Sequence, residues 1–257
     1  MQKFKKLSLI ITLSFLTLFS QAYAEIKVVA SIKPIHSLAS YLMDGVKKPD
    51  LIVDGYASPH GFAMKPSHAK MLQEADLIFW VGEDIESFLV KPLGSIAKEA
   101  EKIELMEIRG INKLKFRERN IFEGHDDHAK KEDGHDDHDH DKDEHKEDGH
   151  DDHGHEGHAH GEFDPHIWLD PMNAKKILKE MAKHLIENDQ ANESIYKENL
   201  KKANKDLDKL VKKVKSDLNK DFKSIVFHDA YQYFEKRFKV NVLGAFTVNT
   251  DVLPGAE

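Results

Sequence analysis

The chain has 257 residues, 40% of them hydrophobic, with a formal charge of −8 and no cysteine. That length supports one large domain or two modest lobes with a buried core. The acidic balance excludes nucleic acid as the main partner, because phosphate binding needs a basic face; the lack of cysteine excludes disulfide bracing and thiolate metal ligands.

The first 24 residues read as a secretory signal. Lys3, Lys5 and Lys6 precede an apolar run over 7–19, and Ala22-Tyr23-Ala24 places small residues where a signal peptidase cuts. The run falls short of the roughly 20 residues of a membrane span. The expectation is a periplasmic protein whose mature chain starts near Glu25, with no cysteine there to carry a lipid anchor.

Short apolar runs then alternate with helical spacing. Strands are predicted at 26–30, 51–53, 77–81 and 103–105, and helices at 35–43, 66–74 and 85–90. Pro66 suits the first turn of its helix. The continuous apolar run Leu77-Ile78-Phe79-Trp80-Val81 fits a strand covered on both faces. Strand alternating with helix predicts a parallel α/β layer, assigned here to residues 25–170.

A compositional break interrupts that lobe at 123–162. Gly-His-Asp-Asp-His recurs at 124, 134 and 149, and the stretch 124–162 holds 16 acidic and 4 basic residues, leaving the rest of the chain at +4. Eleven of the 17 histidines lie in it: His125, His128, His135, His138, His140, His145, His150, His153, His155, His158 and His160. No core can form from such residues, so a disordered loop with several weak metal sites is expected.

Order is expected again from Phe163. Asp170 is a fitting N-cap before Pro171, for a helix to about Glu187. A longer helix follows over 191–220, with Leu207, Leu210, Val211, Val214 and Leu218 on one face and lysines on the other. A strand at 224–227, a helix at 231–237 and a strand at 240–246 open a second lobe over 221–257. Two strands are too few to close a sheet, so that lobe is expected to be incomplete in this chain.

Six histidines lie outside the loop. His60 follows the second strand, His166 precedes a helix in Asp164-Pro165-His166, and His228 follows Phe227 at a strand end. Ligands of α/β layers bind at the carboxyl ends of strands, so these three are candidates to converge on Zn²⁺, which takes imidazole nitrogen tetrahedrally. His36 and His68 are assigned to capping or packing in early helices, and His184 to the surface of a lysine-rich helix.

The chain resembles the zinc-binding proteins of bacterial ABC importers, the ZnuA-like branch of a group that also takes manganese. The resemblance is carried by Ser58-Pro59-His60, Lys65-Pro66-Ser67, Ala75-Asp76-Leu77, Asp164-Pro165-His166-Ile167-Trp168-Leu169, Phe227-His228-Asp229-Ala230-Tyr231 and Asp251-Val252-Leu253-Pro254-Gly255-Ala256. It implies two α/β lobes with parallel-type sheets joined by a long helix, and a metal held in the cleft by His60, His166 and His228. Histidine at 228, where manganese-binding relatives carry a carboxylate, favours zinc. Two departures stand out: Pro59 where some zinc-binding members have glutamate, and His68 where relatives have aspartate. The fourth ligand stays open between water, a loop histidine and a residue beyond this chain.

The function so implied is capture of zinc ion and delivery to an inner-membrane ABC permease by a monomer, with no catalysis. Three rivals are a periplasmic zinc buffer acting through the loop, a manganese or nickel importer component, and a zinc hydrolase using Glu83, Asp164 or Asp229 as base.

Overall fold

The computed structural model describes residues 25–117, 161–219 and 221–247. The signal segment, the eleven loop histidines and the motif beginning at Asp251 lie outside the described residues.

The first lobe is a four-stranded, fully parallel sheet: β1 (Val28–Ile32), β2 (Asp50–Val53), β3 (Leu77–Trp80) and β4 (Glu101–Glu104), in the order β2-β1-β3-β4. Helices α1 (Lys33–Leu42), α2 (Pro66–Glu74) and α3 (Glu83–Ser95) make the crossovers. Every residue of β1 and β3 is buried, as their unbroken apolar sequences require of strands covered on both faces. The chain leaves β1 toward β2 on one side and returns to β3 on the other, so the carboxyl edge between them opens a crevice.

Helix α4 (Pro171–Asn188) starts as its sequence predicts, with the Asp170 side chain accepting the Met172 N–H at 2.9 Å and Pro171 at the first helical position. Helix α5 (Glu193–Asp217) has 25 residues, about 37 Å at ~1.5 Å each. Its first half is anchored: Tyr196 donates to Asp189 at 2.7 Å, and the Asn199 amide donates to the carbonyls of Leu42 and Asp44, each at 2.8 Å. The apolar face expected near its end is only half-covered, and Leu210 is exposed.

The second lobe pairs β5 (Lys223–His228) with β6 (Asn241–Thr247) in parallel across α6 (Gln232–Phe238), with a register shift between Ser224 and Ile225. One face of this sheet is bare among the described residues, with Ile225, Phe227 and Phe246 each more than 60% exposed.

Helix α3 departs most from the sequence reading. It extends to Ser95 with Pro92 inside it, and Glu86 is non-helical. The Glu86 carboxylate, fully buried, accepts the N–H groups of Val81 and Gly82 and the Ser31 hydroxyl, the last at 2.5 Å. It thereby ties the end of β1 to the turn after β3. Gly82 makes that turn at φ +154°, where an added Cβ would lie 3.0 Å from the Glu104 carboxylate. Burial outweighs those hydrogen bonds and pushes the Glu86 carboxyl up to about 7. A group that holds its proton better when folded stabilises the fold fully below its unfolded value near 4.5, and the contribution fades as pH rises through about 7. The stability of Glu86→Gln relative to the parent, from urea unfolding, should therefore improve as pH rises from 4.5 to 7.5; a difference constant across that range would show that Glu86 does not titrate there.

Candidate metal centre

Each of the three histidines is set by local chemistry before the fold brings them together. His60 lies beyond β2 in a turn where the Ser58 hydroxyl accepts its backbone N–H at 3.2 Å, and Gly61 reverses the chain at φ +70°. His166 precedes a short 3₁₀ turn, Ile167–Leu169, that leads into α4. His228 is the last residue of β5, in register with Thr247 of β6.

The fold places all three on one 330 Å³ cavity between the lobes, beside Ile32, Pro34, Trp168 and Tyr231. Ring centroids are 6.0 Å apart for His60–His166 and His60–His228, and 5.5 Å for His166–His228. One nitrogen from each lies within 4.8 Å of the others. Nitrogens around a tetrahedral zinc with bonds of about 2.0–2.1 Å sit roughly 3.3 Å apart, so the rings need close by no more than ~1.5 Å. His166 is buried, and His60 and His228 are half-buried. The group contains no carboxylate among the described residues.

His166 is the most firmly held. Asp164, completely buried, accepts both the backbone N–H of His166 at 2.9 Å and its Nδ1–H at 2.7 Å. That bond directs the other ring nitrogen, Nε2, into the cavity, the arrangement that orients metal-binding imidazoles. The second oxygen of Asp164 accepts the Gln232 amide at 3.1 Å, and its carbonyl accepts the Tyr233 hydroxyl at 2.6 Å. Tyr233 in turn accepts the Leu114 N–H at 3.0 Å. Arg237 adds a bidentate pair to Asp170, 2.7 Å on each arm. Residues of α6 thus lock the second lobe onto the segment that carries His166.

Electrostatics favours neutral ligands. Burial and the neighbouring His166 hold the His228 pKa below its ordinary value, against the opposing pull of Asp164. Burial pushes the adjacent Asp229 carboxyl up to about 6, partly offset by Arg117 at 3.5 Å; Arg117 also pairs with Glu235 at 2.9 Å.

The other predicted positions fall elsewhere. His36 contacts the Pro49 carbonyl at 3.0 Å and packs as expected. His68 caps α2, its Nδ1 accepting the Lys65 N–H at 3.1 Å, with Phe62 against its ring. Burial, helped by Lys65, holds its pKa down, which favours the neutral form that accepts this bond. His184 is half-buried and not on the open surface expected: its side chain is 12% exposed among three glutamates. Of the proposed hydrolase bases, Asp164 is consumed in holding His166 and Asp229 is enclosed beside Arg117, while Glu83 lines a separate 410 Å³ pocket that touches His60.

The supporting roles of Gln232 and Tyr233 escape a reading of the sequence, because their partner lies 68 and 69 positions away. The Asp-x-His spacing was the visible signal for Asp164.

The family described as "Zinc-uptake complex component A periplasmic", ZnuA, matches residues 28–257. The chain belongs to the ZnuA family. It is 44% identical over 232 residues to the high-affinity zinc uptake system protein ZnuA of Brucella abortus, covering 89% of this chain and 70% of that one. The counterpart of Yersinia pestis is 35% identical over 238 residues, at 91% and 70% coverage. The fold matches a crystal structure of ZnuA at a TM-score of 0.64, with 19% identity and 90% and 74% coverage. It also matches the Zn(II)-bound ZnuA-like domain of Streptococcus pneumoniae AdcA at 0.62, with 16% identity and 91% and 71% coverage.

If Asp164 fixes the His166 tautomer, Asp164→Asn should lower zinc affinity by about 10- to 100-fold. Competition with a chromogenic chelator measures this, and an unchanged affinity would remove Asp164 from the ligand-orienting role.

Proposed function

We propose that the chain captures Zn²⁺ in the periplasm and delivers it to the permease of an ABC importer, with His60, His166 and His228 as its ligands. The observation that carries this is the convergence of three imidazoles at the lobe junction, one of them oriented by a buried carboxylate. An all-nitrogen protein set suits Zn²⁺ better than the harder Mn²⁺, and the relatives named above are themselves called high-affinity zinc uptake proteins. The ion is cargo, so a cavity closed by two lobes serves capture and release, and no reaction step is required. On this reading residues 1–24 are a signal cleaved after Ala24, 25–170 form the first lobe, 171–220 the connecting helices and 221–257 the start of the second lobe. The protein acts as a monomer. The loop histidines add weak sites that raise the local zinc concentration.

The deciding measurement is a competitive zinc titration of the chain and of its single His60→Ala, His166→Ala and His228→Ala variants. One tight site, weakened at least 100-fold in each variant, is expected; weak, multiple binding unaffected by these changes would move the function to the loop.

Zinc binds the neutral imidazole, so protons compete with it. The lowered pKa of His228 means that it begins to compete only below its ordinary value near 6.5. Affinity should therefore hold from pH 8 to about 6.5 and fall by more than tenfold by pH 5. A flat profile would count against histidine ligation.

A further inference from the structure

The end of the first lobe remote from the three histidines carries a second convergence of ligand-type side chains. Glu101 opens β4 at the amino-terminal edge of the sheet, and His184 and Glu187 lie one turn apart near the end of α4. One ligand atom from each lies within 4.8 Å of the others. His184 Nδ1 is 2.8 Å from Glu101 Oε1 and 3.4 Å from Glu187 Oε2, and its Nε2 is 3.2 Å from Glu180 Oε1.

The orientation of the ring is informative. Nδ1 is sealed from solvent, yet neither nearby carboxylate meets it in hydrogen-bonding geometry. Glu180 engages Nε2, and Nδ1 faces the oxygens of Glu101 and Glu187. A carboxylate on one ring nitrogen with further carboxylates facing the other is the layout of the carboxylate–histidine–metal relay, in which a cation stands between Nδ1 and the facing oxygens. Glu101 is also held: its second oxygen accepts the Asn188 amide at 2.7 Å, and the same amide donates to the His184 carbonyl at 2.9 Å.

The distances suit a zinc-sized ion. Ligand atoms around tetrahedral zinc lie roughly 3.3 Å apart, so the His184–Glu187 spacing needs no change. Glu101, 39% exposed, would have to withdraw by about half an ångström.

We infer that Glu101, His184 and Glu187 form a second divalent-cation site, for zinc and similar borderline ions, with Glu180 orienting the imidazole and water completing the shell. One nitrogen and two partly exposed carboxylates make it weaker than the three-histidine cavity, so it fills second. Because its ligands come from β4 and α4, a bound ion clips the edge strand to the helix that covers it and stabilises the lobe by mass action.

The test uses the full chain with ¹⁵N-labelled histidine and long-range ¹H–¹⁵N spectra, the His184 signals being assigned through His184→Gln. Zinc is added in steps beyond one equivalent. The expected result is a His184 ring protonated at Nε2 whose Nδ1 resonance moves and saturates after those of His60, His166 and His228. Glu187→Gln, a change at a side chain 53% exposed, should weaken that response at least tenfold, and the Glu101→Gln/Glu187→Gln pair should abolish it. A doubly protonated His184 that millimolar zinc leaves unmoved would overturn the site, as would an unaltered response in the double variant. The cavity histidines report in the same spectra, so failure of the second site is distinguishable from failure of zinc capture itself.

Discussion

The carboxylate of Asp164 is the constraint on which the three-histidine cavity depends. It is wholly buried, a position a charge can occupy only when its oxygens are satisfied. His166 supplies two donors and Gln232 a third, while Tyr233 binds the carbonyl of the same residue. These donors come from the ligand segment and from α6, and Tyr233 passes the connection to Leu114 of the first lobe. One carboxylate therefore sets a ring tautomer and joins two lobes. A half-buried ion pair also joins the lobes a few residues on, where Arg237 of α6 grips the Asp170 that caps α4.

Around that anchor the parallel topology does the positioning. Strand order β2-β1-β3-β4 places the loops after β1, β2 and β3 on one edge, and His60 rises from one of them. Glu86 keeps this edge in shape by satisfying two backbone N–H groups and a hydroxyl where the chain turns from β3 into α3. Its burial costs it an easy ionisation, so part of the stability beneath the cavity is tied to pH. The opposite edge of the sheet carries the Glu101–His184–Glu187 group, far from the lobe junction in topology and built from mixed oxygen and nitrogen ligands. The two groups differ as their chemistry does: three imidazoles around a cavity at the lobe junction, against one imidazole between partly exposed carboxylates.

Much of this was legible in the sequence. The buried strands declared themselves because a strand covered on both faces must be apolar throughout, as Leu77–Trp80 is. The start of α4 was visible because Asp170 and Pro171 act on their own turn. The three cavity histidines were recognisable as strand-end and motif residues. The bounds of α3 were not, because Glu86 leaves helical geometry to reach groups outside its helix. The sparse covering of Leu210 was equally invisible, since periodicity reports which face is apolar and not what lies against it.

Sequence by itself determined the α/β alternation, the caps, the acidic histidine-rich insert and the residue types available as ligands, because each depends on neighbours within a few positions. Only the tertiary structure decided which histidines meet. His60, His166 and His228 are brought together by sheet order and lobe docking, and Asp164 by its partners on α6. His184 shows the difference most clearly. Its helix looks solvated by composition, yet β4 packs Glu101 against it from 83 positions away, turning an expected surface residue into a half-buried one. No local pattern encodes that approach, because the hydrogen bonds and charges that define it exist only once the chain has folded.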